Sequence, residues 1–337
     1  MAGDCNDGFT HREPAPYNWQ ITNHRGSQLK SFAYILAGAL GVGSMAAMAA
    51  ESSCHYTEQA TLPFTNHGAL SLVDGQVNDR QVSMLLSTIA IRTALVRAEA
   101  DRQQLTLSRA PRVAGGESYT AFVKRLAFGT GQLVRANIEV DDVKENANYA
   151  AVIGSDVLSQ SDLDLALRDK QAKLFHAEGC QDKALAYWDS KALDIPMESA
   201  GKHDLRQIFF VEVNGQKLRA TISTTSAHST ISQEVAERLG VTPQPSAVAP
   251  ADGGAEHAGS KPGRKTATFD SFAIGDETIE HPHFVVIDRH VPQYFGWTTL
   301  ADVVLGRDFL NAHHVLLAVS QQRLYYSYLG GPVFQAE

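Results

Sequence analysis

The chain has 337 residues, 44% apolar and 20% charged, so it can bury a sizeable core and is too long for one small domain. Lys and Arg number 29 against 37 Asp and Glu, a net charge of −8, which argues against a nucleic-acid-binding surface. Three cysteines, Cys5, Cys54 and Cys180, with no CxxC pair, argue against a disulfide-dense scaffold or a cysteine-based zinc site.

Residues 31–50, SFAYILAGALGVGSMAAMAA, carry no charge. Arg25 and Lys30 precede this run and Ala47-Met48-Ala49 closes it, the outline of a secretory signal peptide. It is also long enough to cross a bilayer as a helix. The thirty residues before it hold three basic and three acidic side chains, unlike a short positive leader. Two versions therefore stay open. Either a signal with a long extension is cleaved, or an uncleaved helix anchors the chain with Arg25 and Lys30 on the cytoplasmic side. Both export the remainder, and membrane contact would run only through residues 31–50.

The rest of the chain reads as one pattern written twice. The first copy begins VDGQVNDRQVSMLLSTIAIRTALVRAEADRQQL (73–105) and the second VEVNGQKLRATISTTSAHSTISQEVAERLGV (211–241). Asn78-Asp79 and Asn214-Gly215 are two-residue hairpin turns between alternating runs. Asn78 and Asn214, like Ser87 and Ser223, stand 136 positions apart. Strand pairs with a glycine turn follow, at 121–133 and 267–279. Each copy closes with an apolar run into Gly-x-Asp, at 150–175 and 301–326, then a short helix and a hairpin turned at RDK or SQQR. Residues 233–239 read as a helix. The spacing predicts an all-β-dominated protein with short helices, built from two β-barrel-like lobes related by a pseudo-twofold axis. The boundaries are 1–50 for the leading segment, 51–178 for lobe one, 179–196 for a join and 197–337 for lobe two. Tyr187 and Trp188 make the join too apolar for a free linker, whereas 243–263 reads as a Pro-, Gly- and Ala-rich loop.

These features resemble the bacterial retropepsin-like aspartic peptidases, in a tandem, exported form. The resemblance rests on the Asn-turn hairpins, the small polar loops and Leu305-Gly306-Arg307-Asp308-Phe309-Leu310. The join from Gly179-Cys180 to Ala186-Tyr187-Trp188 and the ending at 324–334 extend it over most of 54–334. It implies a bilobed aspartic-peptidase-like fold, a periplasmic location or an inner-membrane anchor facing the periplasm, and an inter-lobe cleft for extended peptide. No cofactor is implied. The family loop reads Asp-Thr-Gly-Ala in each lobe. Here the matching residues are Ser87-Thr88-Ile89-Ala90 and Ser223-Thr224-Thr225-Ser226. The mechanism needs two carboxyls that share one proton, and a serine hydroxyl is no base near neutral pH. Ile89 and Thr225 also lack the backbone freedom of glycine. The reading is a pseudopeptidase that binds extended peptide. One alternative is an active peptidase or hydrolase with an unrecognised acid or serine mechanism, and another is a structural envelope protein with a collapsed cleft.

Other constellations have plainer readings. His228 is near Ser223, but lobe one has Arg92 at the matching position and no GxSxG elbow is present. His281-Pro282-His283 places two imidazoles on one strand face, which reads as a surface pair, and His313-His314 follows the Gly-x-Asp motif; no metal site is predicted at either. Asp156 and Asp308 read as N-caps of the short helices. Residues 139–142 (Glu-Val-Asp-Asp) read as a solvated edge. Export leaves Cys54 and Cys180 as the candidate disulfide, with two free thiols or a lipid on Cys54 as alternatives.

Overall fold

Leu70–Val77 and Arg80–Leu86 pair antiparallel around Asn78-Asp79, with Val77 opposite Arg80. Asn78 takes φ 53°, a left-handed conformation that asparagine tolerates, so the turn closes in two residues. Asp204–Val213 and Gln216–Ile222 repeat the arrangement around Asn214-Gly215, at φ 50° and 73°. In both turns the asparagine also holds the next hairpin. Asn78 Oδ1 accepts from the N–H groups of Lys124 and Arg125 (2.8 and 3.3 Å), and Asn214 Oδ1 from those of Asp270 and Ser271 (2.8 and 3.2 Å).

The computed structural model describes residues 20–21, 53–67, 70–110, 118–141, 148–202, 204–246, 265–287 and 301–334. The apolar run at 31–50 and most of the loop at 243–263 lie outside them. Among the described residues no helix is long and apolar enough to cross a membrane. Gln20–Ile21 pairs with Gly131-Gln132 of lobe one, a contact that a chain cleaved near Ala50 would lack.

Lobe one closes into a ring of six strands. Gly131–Asp141 pairs with Ser118–Phe128 and, in parallel, with Ala94–Val96. Ala94–Val96 meets Ala151–Ile153, which runs parallel to Arg80–Leu86, and Leu70–Val77 returns to Ser118–Phe128. Lobe two has the same central pairings. Gln216–Ile222 runs parallel to Val303–Leu305, which is antiparallel to Thr230–Ser232, itself parallel to His283–Ile287. Alternation along the strands fills the interior of lobe one with Val77, Met84, Leu95 and Phe128; in lobe two Phe272 and Phe284 from strands pack with Phe309 of the helix Arg307–Leu310 and Phe334 beyond the last strand. The expected helix forms at Gln233–Arg238, its first turn capped by the Ser232 hydroxyl, which accepts from Val235 N–H. The fold is thus mostly β, with short helices, in two lobes.

A six-stranded antiparallel sheet joins the lobes. Its order is His55–Pro63, Gln171–Glu178, Asp162–Ala166, His313–Ala318, Arg323–Tyr328 and Leu193–Gly201, three strands from each half. The last strand begins inside the stretch expected to be the join. Lys170 and Gln322, both at φ 55°, close the two matching turns. The join packs on this sheet through its aromatic residues. Tyr187 donates to the buried Asp164 (2.7 Å), and Trp188 stacks on His314 with ring centres 3.9 Å apart. Cys54 and Cys180 form a disulfide with Cα atoms 4.4 Å apart, tying the start of the first sheet strand to the join.

That bridge spans 126 positions, so it removes much loop-closure freedom from the unfolded chain. Cys180→Ala is expected to lower the unfolding free energy by about 3–5 kcal/mol. The check is the urea midpoint of the oxidised protein against the variant.

Candidate functional site

The parallel pairings that end at Leu86 and Ile222 carry each chain one residue further. Ser87 N–H donates to Ile153 O (3.0 Å) and Ser223 N–H to Leu305 O (2.8 Å). The next residues cross between lobes. Thr88 Oγ1 donates to Ile222 O (2.6 Å) and accepts from Thr224 N–H (3.3 Å). Thr224 Oγ1 donates to Leu86 O (2.6 Å) and accepts from Thr88 N–H (3.3 Å). These four bonds are buried and related by a twofold, and they bring the two serine loops together. A cavity of about 20 Å³, with Ser155, Ser159 and Gln207 in its lining beside Thr88, lies under the cross.

Both serine hydroxyls turn back into their own loops. Ser87 Oγ accepts from Ala90 N–H (3.1 Å). Ser223 Oγ accepts from the N–H groups of Thr225 and Ser226 (3.3 and 3.0 Å) and donates to Ser226 Oγ (2.8 Å). Neither Ile89 nor Thr225 takes a positive φ, so the residues in the family's glycine positions fit without backbone strain, contrary to expectation. Ser87, Thr88, Ile89 and Ala90 are all buried, whereas Thr225 and Ser226 are half-buried. The lobe-two loop is the more accessible.

The Gly-x-Asp segments brace these loops from behind. Asp308 accepts from Ser229 N–H (2.8 Å), the Ser229 hydroxyl (2.6 Å) and Phe309 N–H (2.8 Å), while Gly306 N–H donates to Ser229 Oγ (2.8 Å). Asp156 Oδ1 accepts from the N–H and hydroxyl of Thr93 (both 2.8 Å), and Gly154 N–H donates to Thr93 Oγ1 (3.0 Å). Contrary to the sequence reading, the aspartates are not the N-caps of the short helices Ser155–Leu158 and Arg307–Leu310. Gly154 and Gly306 hold the N-cap positions, and neither cap has a side-chain bond. Both glycines are required by close approach: a Cβ would lie 2.5 Å from Arg92 C or 2.6 Å from His228 C. Thr93 and Ser229 escaped the sequence reading, although they too stand 136 apart.

Burial pushes both carboxyls above the ordinary aspartate range. The Thr93 bonds and Arg92 oppose this at Asp156, and the Ser229 and Phe309 bonds and His228 oppose it at Asp308. His228 thus acts on Asp308 as Arg92 acts on Asp156.

The remaining candidates change character. His281 sits in a turn at φ 52°, outside the strand His283–Ile287, so the two imidazoles do not share a strand face. His313 and His314 are buried. His313 Nε2 lies 3.0 Å from Glu277 Oε1, and His314 Nε2 lies 2.8 Å from Asp164 Oδ1. Glu139 is half-buried in the strand Gly131–Asp141 and not a solvated edge, because it lies opposite both Ala94 and Thr120. Burial raises its carboxyl, with Arg92 opposing.

Residues 210–309 match the family model described as aspartyl protease. The match takes in Ser223, Thr224, Gly306 and Asp308, and so the lobe-two half of the site. No curated protein matches the chain. Among solved structures, the aspartic proteinase from Irpex lacteus aligns at 13% identity over 84% of this chain and 98% of its own, with a TM-score of 0.46. Basic 7S globulin from soybean aligns at 11% identity over 81% and 98%, also at 0.46.

Thr224→Val would strand Leu86 O and Thr88 N–H in a buried setting. It is expected to destabilise the protein by about 2–4 kcal/mol in urea unfolding. Asp308 gives a test in pH. Its carboxyl binds a proton more tightly folded than unfolded, so its contribution is greatest at low pH and is lost as pH rises from about 3.8 through the raised folded value. The stability advantage of the wild type over Asp308→Asn should therefore shrink between pH 4 and neutrality, read from paired denaturation curves.

Proposed function

We propose that this chain is an exported aspartic-peptidase homologue without peptidase activity, a pseudopeptidase that holds an extended peptide between its lobes. The observation that carries this reading is the state of residues 87 and 223. Peptide hydrolysis by an aspartic dyad needs one carboxylate to activate water and one carboxyl to protonate the carbonyl oxygen. Here both positions hold neutral hydroxyls that satisfy their own loop N–H groups. The nearby carboxyls of Asp156 and Asp308 are held by Thr93 and Ser229, Asp156 through Oδ1 alone, its Oδ2 being buried without a hydrogen-bond partner. The family match over 210–309 supports the peptidase ancestry of lobe two. The recurrence of the Asn clamp, the serine loop and the parallel pairings supports the same ancestry for lobe one. The Cys54–Cys180 disulfide fits an oxidising compartment and so favours export. The inter-lobe groove of such a fold suits a peptide held in strand conformation.

The purified protein is expected to leave a reduced, alkylated protein substrate intact from pH 3 to pH 8. Cleavage that Ser223→Ala abolishes would replace this reading with a serine mechanism. Ser87→Asp alone should stay inactive, since a lone carboxyl makes no dyad. The double variant with Ser223→Asp is the minimum change that restores one.

A further inference from the structure

A second groove lies away from the serine loops, where the hairpin of Ser271–Ile274 and Glu277–Glu280 meets the end of the inter-lobe sheet. It encloses about 720 Å³, and neither serine loop contributes to its lining. Its walls include Leu193, Ile279, Tyr326 and Pro332, and its rim carries Asp189, Glu277 and Glu280 against a single Lys191. Three features point to a ligand of definite shape and charge.

The first is a free strand edge. Ser271–Ile274 pairs on one side with Asp204–Val213 and on the other with Glu277–Glu280, whose outer edge has no partner among the described residues. The two-residue turn at Gly275-Asp276 makes Ile274 and Glu277 a hydrogen-bonded pair. The backbone groups of Thr278 and Glu280 consequently face outward. The second is rigidity. Tyr326 donates to Ile274 O (2.5 Å), and the buried His313 holds Glu277 at 3.0 Å, so the edge does not need ordering on binding. The third is uncovered apolar surface: Tyr328 and Leu329, beside the groove, are 54% and 39% exposed.

We propose that this groove docks an extended basic segment of a partner protein, which adds as a strand to Glu277–Glu280. Alternate residues of a strand point to opposite sides, so Glu277 and Ile279 share one face and Thr278 and Glu280 the other. Lys or Arg at every second position would meet Glu280 on its face while the residues between them cover Ile279 on the opposite one. The rim's excess of carboxylates and the net charge of −8 select a basic occupant over an acidic one. Edge strands often carry charge simply to prevent pairing. That guard role predicts no binding, so experiment separates the two.

The probe is a fluorescein-labelled Lys-Val-Lys-Val-Lys-Val peptide, titrated by anisotropy with the intact, oxidised chain. Saturable binding is expected, weakened about tenfold or more by Glu280→Lys through charge reversal. Thr278→Pro, which removes an outward N–H and no hairpin bond, should weaken it to a similar degree. Near-UV circular dichroism checks the fold of each variant, and Glu280→Lys decides if Thr278→Pro unfolds. Equal binding of Lys-Gly-Lys-Gly-Lys-Gly would reduce the effect to general attraction and overturn the proposal. So would unchanged affinity in both variants, or the absence of saturation. Self-association lost in Thr278→Pro, without peptide binding, would make a second copy the occupant and overturn it equally.

Discussion

Two threonine hydroxyls fix the relation between the lobes. Each donates to a carbonyl of the opposite lobe and accepts an N–H from it, at a place where water cannot substitute. Losing either hydroxyl leaves backbone groups of both lobes unpaired, and a buried polar group without a partner costs about 1–3 kcal/mol. The contacts around the cross depend on it. Ser159, just beyond the helix of lobe one, donates to Leu205 O of lobe two (2.8 Å), and Arg307, on the helix of lobe two, donates to Ser71 of lobe one. A rotation of one lobe would break these together with the cross. The equivalent placement of Ser87 and Ser223 is therefore a consequence of the threonines that follow them.

This separates architecture from chemistry at one site. Two carboxyls held close in a buried setting repel when both ionise, and each carries a desolvation penalty. Serine removes both costs while keeping an oxygen that accepts loop N–H bonds, as the Ala90, Thr225 and Ser226 bonds show. The two loops can thus keep their shape without the charge that aspartic chemistry requires. The aspartates behind the loops, Asp156 and Asp308, are half-buried, and each takes a hydroxyl and an N–H from a threonine or serine, which offsets part of the cost of their desolvation.

What the sequence made legible was local or repeated. The hairpin turns at Asn78 and Asn214 carry their own backbone signal, and the 136-residue offset ties the serine loops to them. Counting cysteines, once the leading segment was set aside, offered the Cys54–Cys180 bridge beside free thiols or a lipid, and the bridge is what forms. The offset also runs through Thr93 and Ser229, yet their role depends on carboxyls 63 and 79 positions later, and no local pattern announces such a bond. Glu139 looked solvated because its partner strand, Ala94–Val96, joins it in parallel across a long connection. The roles of His313 and His314 were hidden for a similar reason: their partners, Glu277 and Asp164, lie 36 and 150 positions away.

The inter-lobe sheet poses the hardest specification problem, because Leu163–Leu165 and Val315–Leu317 meet through only three residue pairs. Apolar side chains alone would set this register weakly, and a slip of one residue turns every side chain to the other face. Polar groups supply the missing selectivity. Asp164 takes His314 and Tyr187 as partners, and Asp162 accepts from both the N–H and the hydroxyl of Ser320 (2.9 and 2.7 Å). Either carboxyl, shifted off its partners but still buried, would cost several kcal/mol. The join adds a further constraint, since Trp188 stacks on His314 and donates to Ser327 Oγ (3.2 Å), on the neighbouring strand. With Cys180 bonded to Cys54, Tyr187 and Trp188 start from a fixed point on the lobe-one side of the sheet. The join therefore does more than connect the lobes: it reads the register of the strands between them, and only the correct pairing satisfies Asp164, His314 and Trp188 at once.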